Sequence, residues 1–231
     1  MDNSLGTLYG ISVGPGDPEL MTIKAKRLLE RCSVLAVPKT RDGHSLALEI
    51  AYKAADISGK KVLSLPFPMT TDIAILRQNY EAHAARLANM LNSGKDVAFI
   101  CLGDVSVYST FAYIGEILSE KGYTVVMVPG VTSFCAAACA MSISLTSANQ
   151  PLHIIPAGHG NIEDSLRLPG TRVLMKSASQ FSEVRSAVLA RGQNAYAAVD
   201  CGMSSQRFYQ NLADMPDDPG YFTTIIVKEQ P

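Results

Sequence analysis

The sequence predicts an α/β protein, and three observations support this fold class. Short apolar runs alternate with longer amphipathic runs along the chain, which is the pattern of βαβ units that form a parallel sheet. The hydrophobic fraction of the 231 residues is 47% and the charged fraction is 18%, as expected for strands that are covered on both faces. The alternation restarts with shorter units after a polar, turn-like segment at residues 142–150, which indicates a second domain.

Each predicted element spans one apolar or amphipathic run. In the first domain, residues 1–130, strands are predicted at Thr7–Val13, Ser33–Val37, Lys61–Leu65, Asp96–Cys101 and Thr124–Val128, and helices at Pro18–Arg31, Ser45–Ala55, Ile73–Asn92 and Thr110–Lys121. In the second domain, residues 131–231, strands are predicted at His153–Pro156, Arg172–Lys176, Ala195–Val199 and Phe222–Lys228, and helices at Thr132–Met141, Gln180–Ala190 and around Gln206–Leu212.

Charge and terminal sequence exclude several classes of protein. The 20 basic and 21 acidic residues give a net charge of −1, which gives no indication of a nucleic-acid partner. The first six residues lack the basic and apolar regions of a signal peptide, and no apolar run is long enough to span a bilayer. We therefore expect a cytoplasmic protein that makes no membrane contact.

The cysteines and histidines do not predict a metal site. The five cysteines contain no CxxC motif, so neither a disulfide framework nor a zinc knuckle is expected. We expect Cys135 and Cys139, one helical turn apart in an alanine-rich stretch, in the core. Neither His153 nor His159 has a cysteine or carboxylate at ligand spacing, so no protein-bound metal is expected. His83, within a long predicted helix, is expected at the surface.

The first glycine-rich loop, Gly14-Pro15-Gly16-Asp17-Pro18-Glu19, follows a strand and precedes a helix. Asp17 suits the N-cap and Pro18 the first helical position, so the loop could simply be a well-capped turn. A dinucleotide site is the alternative, but Glu19 stands where the third glycine of that motif is required, and its carboxylate would repel a pyrophosphate. No Walker A motif is present either.

Two further loops of small residues follow strands. Residues 103–110 come directly after the fourth predicted strand, and residues 129–134 directly after the fifth. The carboxyl ends of parallel strands form the ligand crevice of an open α/β sheet. We therefore expect the three loops to meet at one edge, where small residues let the backbone approach a ligand closely.

These segments resemble the tetrapyrrole methyltransferases, the class III S-adenosylmethionine methylases of corrin and sirohaem synthesis. The resemblance is carried by Gly14-Pro15-Gly16-Asp17-Pro18, by Gly103-Asp104 with Tyr108-Ser109, by Pro129-Gly130-Val131-Thr132-Ser133, and by residues 200–207 near the C-terminus. It covers almost the whole chain. The opening segment, with Val37-Pro38-Lys39-Thr40, looks most like the branch that methylates C-20 of precorrin-2 or cobalt-factor II. The Tyr-Asp pair of the sirohaem branch is replaced here by Val37-Pro38.

The resemblance implies the fold, the cofactor and the residues that bind it. It implies two α/β domains of the tetrapyrrole methylase fold, the first with a mainly parallel sheet and the second with a mixed sheet, with S-adenosylmethionine bent in the cleft between them, and a homodimer. The cofactor-binding positions that it implies are Pro15, Gly103, Asp104, Val107, Thr132, Ser133, Met175, Cys201, Gly202 and Thr224. Cys201 stands where the family usually has glycine.

The implied substrate is a tetrapyrrole that bears many carboxylates, and cations should bind it. Lys39, Arg41 and His44 follow the second predicted strand and are the substrate-binding candidates, although a solvated loop explains them equally well. No catalytic base can be assigned, and Tyr108 and His44 are the candidates. Three alternatives stay open: a family member that methylates another ring position, a non-catalytic tetrapyrrole- or adenosyl-binding module, and a Rossmann dehydrogenase, which Glu19 disfavours. Whether the substrate carries cobalt is also left open.

Overall fold

A computed structural model describes residues 5–39 and 43–229 of the protein. The chain divides into two compact units, the first ending at Thr132 and the second beginning at Ser133. This division falls two residues after the predicted domain boundary.

The first unit is built on a five-stranded parallel sheet with the strand order β3-β2-β4-β1-β5. Its strands are β1 (Leu8–Ser12), β2 (Val34–Lys39), β3 (Lys61–Pro66), β4 (Val97–Cys101) and β5 (Val125–Val128). Its helices are α1 (Ile23–Arg31), α2 (Leu46–Ala54), α3 (Ile73–Asn92) and α4 (Phe111–Glu120). Because all five strands run the same way, their carboxyl ends lie at one edge of the sheet.

Apolar residues cover both faces of this sheet, which explains the nearly uninterrupted apolar runs of the central strands. Along β4, Ala98 and Ile100 pack with α1 and α2, whereas Val97 and Phe99 pack with α3 and α4. Side chains of a strand point alternately to its two faces, so a strand with helices on both sides is apolar at every position.

The second unit is built on a five-stranded mixed sheet with the strand order β6-β7-β10-β8-β9. Its strands are β6 (Leu152–Pro156), β7 (Thr171–Met175), β8 (Ala195–Val199), β9 (Arg207–Tyr209) and β10 (Thr223–Val227), and its helices are α5 (Ser133–Ala140), α6 (Ile162–Leu166) and α7 (Phe181–Ala190). Strands β7 and β8 both pair antiparallel to β10, and β6 pairs parallel to β7. The predicted fold class, an α/β protein with one parallel and one mixed sheet, is therefore confirmed.

Two predicted helices are wrong in part. Asp17 caps only a short 3-10 turn at Pro18–Leu20. The chain then becomes extended, and α1 begins at Ile23, where the Thr22 hydroxyl accepts a hydrogen bond from the Ala25 N–H. The predicted helix around residues 206–212 contains β9, which pairs antiparallel with β8, because pairing with a neighbouring strand overrides a weak local preference.

Candidate functional site at the carboxyl ends of the strands

The first two glycine loops are joined through their backbones at the carboxyl edge of the parallel sheet. Gly14 and Gly103 form an isolated antiparallel bridge, in which the Gly103 N–H donates to the Gly14 carbonyl at 2.8 Å and the Gly14 N–H donates to the Gly103 carbonyl at 3.3 Å. One step earlier, the Val13 N–H donates to the Cys101 carbonyl at 2.9 Å. The predicted meeting of these loops is thus present in the first unit.

Ser12, the last residue of β1, connects the second loop to the end of β5, directly before the third loop. Its hydroxyl donates to the Val128 carbonyl at 2.7 Å and accepts from the Val105 N–H at 2.8 Å. The side chain is completely buried, so both hydrogen bonds satisfy polar groups that water cannot reach. Nothing in the sequence indicates this role of Ser12, because a lone serine at a strand end gives no signal of its own.

Asp104 makes a second connection to the third loop. One carboxylate oxygen accepts from the Gly130 N–H at 2.7 Å, and the other accepts from both the N–H and the hydroxyl of Ser106. The residue is only 8% exposed. Burial by itself would raise the pKa of Asp104, but the hydrogen bonds from Gly130 and Ser106 outweigh it and hold the pKa below its usual value. The carboxylate is therefore ionised at neutral pH.

The glycines of these loops have two different reasons to be glycine. A Cβ on Gly130 would lie 2.4 Å from the Ser12 Cβ and 2.8 Å from the Gly103 carbonyl oxygen, so the close approach of the loops excludes any side chain there. Gly103 has φ +70°, but a Cβ on it would meet no protein atom within 4 Å. The space beside Gly103 is thus free of protein atoms.

The remaining cofactor candidates of the first unit lie in the same loops. Pro15 is buried directly after Gly14. Val107 is half-buried, and its N–H donates to the Asp104 carbonyl at 3.2 Å. Thr132, also half-buried, is the last residue of the unit. These positions agree with the predicted loops, and the roles of the three residues toward the cofactor stay predictions.

In the second unit, the other candidates lie mainly at the edge where β7 and β8 end and β10 begins. Met175 ends β7, Cys201 and Gly202 follow β8, and Thr224 is the second residue of β10, in register with Ala198. Ser133, which begins α5, is the fifth candidate of this unit. The edge is closed by the Asp200 N–H, which donates to the Phe222 carbonyl at 3.0 Å.

Three non-glycine residues near the ends of the strands have strained backbone conformations that the sequence does not indicate. Tyr108, Lys176 and Asp200 have φ values of 49°, 54° and 51°, in the left-handed region that non-glycine residues seldom occupy. Lys176 directly follows β7 and Asp200 directly follows β8, while Tyr108 lies in the loop after β4. Such strain concentrates at functional sites, but only coordinates reveal it.

Two of the three substrate-binding candidates lie within the described residues. Lys39 ends β2, at the same carboxyl edge as the glycine loops. His44 precedes α2, and its Nε2 lies 2.6 Å from the Glu49 carboxylate. Arg41 lies outside the described residues. The proposed roles of Lys39, Arg41 and His44 toward a substrate therefore stay predictions, as do those of Tyr108 and His44 as bases.

Three side-chain positions differ from expectation. His83 is 4% exposed, because its ring packs edge-on against Phe67 and its Nε2 lies 2.8 Å from the Pro66 carbonyl oxygen. Cys135 and Cys139 are exposed, since α5 buries Phe134 and the alanines of its other faces instead.

Within residues 5–39 and 43–229, no group of three metal-ligating side chains is present, and no helix is long and apolar enough to cross a membrane.

Comparison with known proteins identifies the family. The family model for tetrapyrrole (corrin/porphyrin) methylases matches residues 7–216. The chain belongs to the tetrapyrrole methylases. Its curated relatives in this family include the cobalt-precorrin-2 C(20)-methyltransferase of Salmonella typhimurium, which is 32% identical over 234 residues and 97% of each chain. They also include the precorrin-2 C(20)-methyltransferase of a Sinorhizobium species, which is 28% identical over 96% of this chain and 95% of the relative.

A solved tetrapyrrole methylase has the same fold. The uroporphyrin-III C-methyltransferase of Thermus thermophilus, in complex with S-adenosylhomocysteine, superimposes with a TM-score of 0.69 at 19% identity, and covers 97% of this chain and 98% of its own. At that identity the likeness concerns the fold alone.

Proposed function

We propose that this tetrapyrrole methylase transfers a methyl group from S-adenosylmethionine to C-20 of precorrin-2 or its cobalt form, in cobalamin biosynthesis. The observation that carries the proposal is the match over 97% of both chains to the Salmonella protein named for this reaction. The motifs at residues 14–18, 103–109 and 129–133, which gave the family resemblance, lie within the matched range.

The chemistry asks for binding and orientation more than for a reactive side chain. S-adenosylmethionine supplies a methyl group already activated by a positively charged sulfur, and the meso carbon of an electron-rich tetrapyrrole is already a nucleophile. The new carbon–carbon bond would form as the sulfur–methyl bond breaks, which leaves neutral S-adenosylhomocysteine. The proton displaced at the meso carbon would pass to a base, for which Tyr108 and His44 are the candidates. The protein has to hold the reacting atoms in line and exclude water. Loops fixed to one another before the ligand binds suit this task, because little motion has to be frozen when the reactants meet.

On the cofactor side, support for S-adenosylmethionine comes from the backbone of the first unit. Gly103 presents open space beside an edge of hydrogen-bonded loops, where backbone groups can bind an adenosyl ligand closely. The fold is that of a methylase solved with S-adenosylhomocysteine. For the second unit we keep Met175, Cys201, Gly202 and Thr224 as the proposed cofactor residues, because they lie at or close to the ends of its strands.

On the substrate side, Lys39 is the residue that the structure supports best. It ends β2 at the carboxyl edge of the parallel sheet, the same edge at which the glycine loops lie. A lysine there would attract a carboxylate of the tetrapyrrole. The Nε2 of His44 lies 2.6 Å from the Glu49 carboxylate, and Arg41 would add a permanent charge.

The cobalt form is the first candidate substrate, because the 32% identical relative is named for it. Metal-free precorrin-2 is the second candidate, because the 28% identical relative is named for that compound. The cobalt ion would enter as part of the substrate, so the protein itself would hold no metal.

Parallel turnover assays test this proposal. The purified protein is mixed with S-adenosylmethionine and either cobalt-precorrin-2 or precorrin-2, and each product is analysed by mass. We expect the gain of one methyl group on at least one substrate, and the ratio of kcat/KM values identifies the preferred one. Binding of S-adenosylhomocysteine without turnover of either substrate would contradict the methylase assignment at C-20 and favour a binding module.

We also propose, from the family resemblance, that the protein is a homodimer. Light scattering coupled to gel filtration tests this directly. A mass twice that of the chain is expected, and a single-chain mass at the concentrations used for turnover would overturn the proposal.

A further inference from the structure

Asp104 has its carboxylate engaged by the protein itself. The resemblance places this residue at the cofactor, where a carboxylate could act as the counter-charge of the positive sulfur. In the structure, however, both oxygens accept hydrogen bonds from the first unit, one from the Gly130 N–H and the other from the N–H and hydroxyl of Ser106. Asp104 is 8% exposed, and its negative charge is stabilised by these three hydrogen-bond donors of the protein.

The Asp104 contacts connect loops that are far apart in sequence. Gly130 follows Asp104 by 26 residues and lies after the neighbouring strand β5. The hydrogen bond therefore fixes the third loop to the second. A hydrogen bond from a backbone N–H to an ionised carboxylate is stronger than one between neutral groups, and burial removes the competition of water.

Ser12 makes a second connection close to the one made by Asp104. Its hydroxyl bonds the Val105 N–H, next to Asp104, and the Val128 carbonyl, two residues before Gly130. Asp104 thus joins the second loop to the third loop, and Ser12 joins the second loop to the end of β5, directly before the third loop. The backbone of Gly130 lies so close to Ser12 that only glycine fits there, so the two connections depend on one another.

We propose that Asp104 and Ser12 are positioning residues that form a clasp between the second and third loops, and that Asp104 does not serve as the counter-charge of the cofactor's sulfur. The clasp fixes the shape of the loops before the ligand arrives, which lowers the entropic cost of binding. This proposal rests on the proposed function, since it assumes that the loops receive S-adenosylmethionine.

The charge of the ligand's sulfur distinguishes the two roles of Asp104. S-adenosylmethionine carries a positive sulfur, whereas the sulfur of S-adenosylhomocysteine is neutral. The full-length variant Asp104→Asn keeps the size of the side chain but removes its charge, and an amide oxygen cannot accept all three hydrogen bonds. Calorimetry of both ligands with this variant is the test. If Asp104 acts as part of the clasp, the affinities for S-adenosylmethionine and S-adenosylhomocysteine should fall by the same factor, at least tenfold.

A counter-charge predicts a different result. The affinity for S-adenosylmethionine would then fall at least tenfold more than that for S-adenosylhomocysteine, and this outcome would overturn the proposal. Ser12→Ala should also weaken both ligands equally. In the double variant the losses should be less than additive, because each substitution already opens the same clasp. Full additivity would contradict a shared clasp.

Asp96→Asn is the matched control. Asp96 also accepts hydrogen bonds at both oxygens, from the Thr7 N–H at 2.8 Å and from Arg31 at 3.1 Å, but it precedes β4 and so lies at the opposite, amino edge of the sheet. The substitution Asp96→Asn should lower the free energy of unfolding while leaving the affinities for both ligands within twofold of the wild type. Similar losses of affinity in the Asp96 variant would show that Asp104→Asn acts only through general stability.

Hydrogen exchange supplies a readout that needs no ligand. In the unliganded protein the Gly130 amide should be protected, and this protection should be lost in Asp104→Asn and kept in Asp96→Asn.

If Asp104→Asn does not fold, Ser106→Ala serves as the second variant. It removes only the hydroxyl donor and should give a smaller loss of affinity that is equal for both ligands. If the wild type binds neither ligand, the proposed function fails; if it binds both and the variants discriminate between them, only the clasp fails.

Discussion

The backbones of Gly14 and Gly103 are paired by two hydrogen bonds, at 2.8 and 3.3 Å, although 89 positions separate them in the sequence. This isolated bridge lies beyond the carboxyl ends of the paired strands β1 and β4. It leaves Gly103 in a left-handed conformation with open space beside its Cα. This pairing joins the two loops at the carboxyl edge of the parallel sheet, and the first prediction concerns the open space beside Gly103.

Gly103→Ala should weaken the binding of S-adenosylhomocysteine at least tenfold. The added methyl group meets no protein atom within 4 Å but enters the open space in which we propose that the cofactor binds. The left-handed conformation adds a stability cost of about 1 kcal/mol. Gly59→Ala is the control, because Gly59 has the same φ of +70° and equally open surroundings but lies between α2 and β3, at the amino edge. Calorimetry and chemical denaturation of both variants should show similar losses of stability but different losses of affinity. Unchanged affinity of Gly103→Ala for S-adenosylhomocysteine would show that the second loop does not bind the cofactor at Gly103.

Lys39→Ala should raise the KM for the tetrapyrrole several-fold without changing the affinity for S-adenosylhomocysteine. Lys39 lies at the carboxyl end of β2, whereas Lys61 begins the adjacent parallel strand β3 at the opposite edge. Lys61→Ala removes the same charge at the amino edge of the sheet. This control should leave the KM for the tetrapyrrole and the affinity for S-adenosylhomocysteine within twofold of the wild type. Weakened cofactor binding with an unchanged KM in the Lys39 variant would contradict its assignment to the substrate.

The cysteines should differ sharply in their reaction with iodoacetamide. Burial raises the pKa of Cys32 to about 11 and that of Cys101 to about 12, so both thiols are protonated and shielded at neutral pH. Cys135 and Cys139 are exposed on α5. Mass spectrometry after brief labelling of the native protein should find Cys135 and Cys139 modified and Cys32 and Cys101 unmodified. Equal labelling of all four would contradict this burial pattern.

His83 should make stability depend on pH. Burial lowers the pKa of its imidazole, and the hydrogen bond to the Pro66 carbonyl only partly opposes this effect. Because the unfolded chain then binds the proton more tightly than the folded protein, the free energy of unfolding is highest above the ordinary histidine pKa of about 6.5 and falls as the pH drops below it. Urea unfolding at pH values on both sides of 6.5 tests this. His83→Gln, which can still donate to Pro66, should show a smaller decrease than the wild type.

Most of the fold follows from local patterns, and its exceptions have physical causes. Helix α3 begins and ends where its amphipathic run does, because Asp72 supplies a cap at one end and Gly94 follows the other. Strand β9, in contrast, has only three residues and exists because β8 offers it a partner. The burial of His83 depends on Phe67, which comes from a different segment of the chain. Tertiary contacts of this kind leave no periodic signal in the sequence.

The candidate site is predictable to the level of its loops but not of its hydrogen bonds. Small residues after strands indicate the loops, and parallel topology brings those of the first unit to one edge. The contact of Asp104 with Gly130, the role of Ser12 and the strained backbone of Lys176 depend on distances between segments that are far apart in the sequence. These features require coordinates.

The most direct test of the account is the position of the transferred methyl group. The protein is incubated with S-adenosylmethionine carrying a carbon-13 methyl group and with the tetrapyrrole that the turnover assay identifies as preferred, and the product is examined by NMR. We predict one labelled methyl group, on C-20. A labelled methyl group at any other ring position would keep the protein among the tetrapyrrole methylases but contradict the proposed reaction.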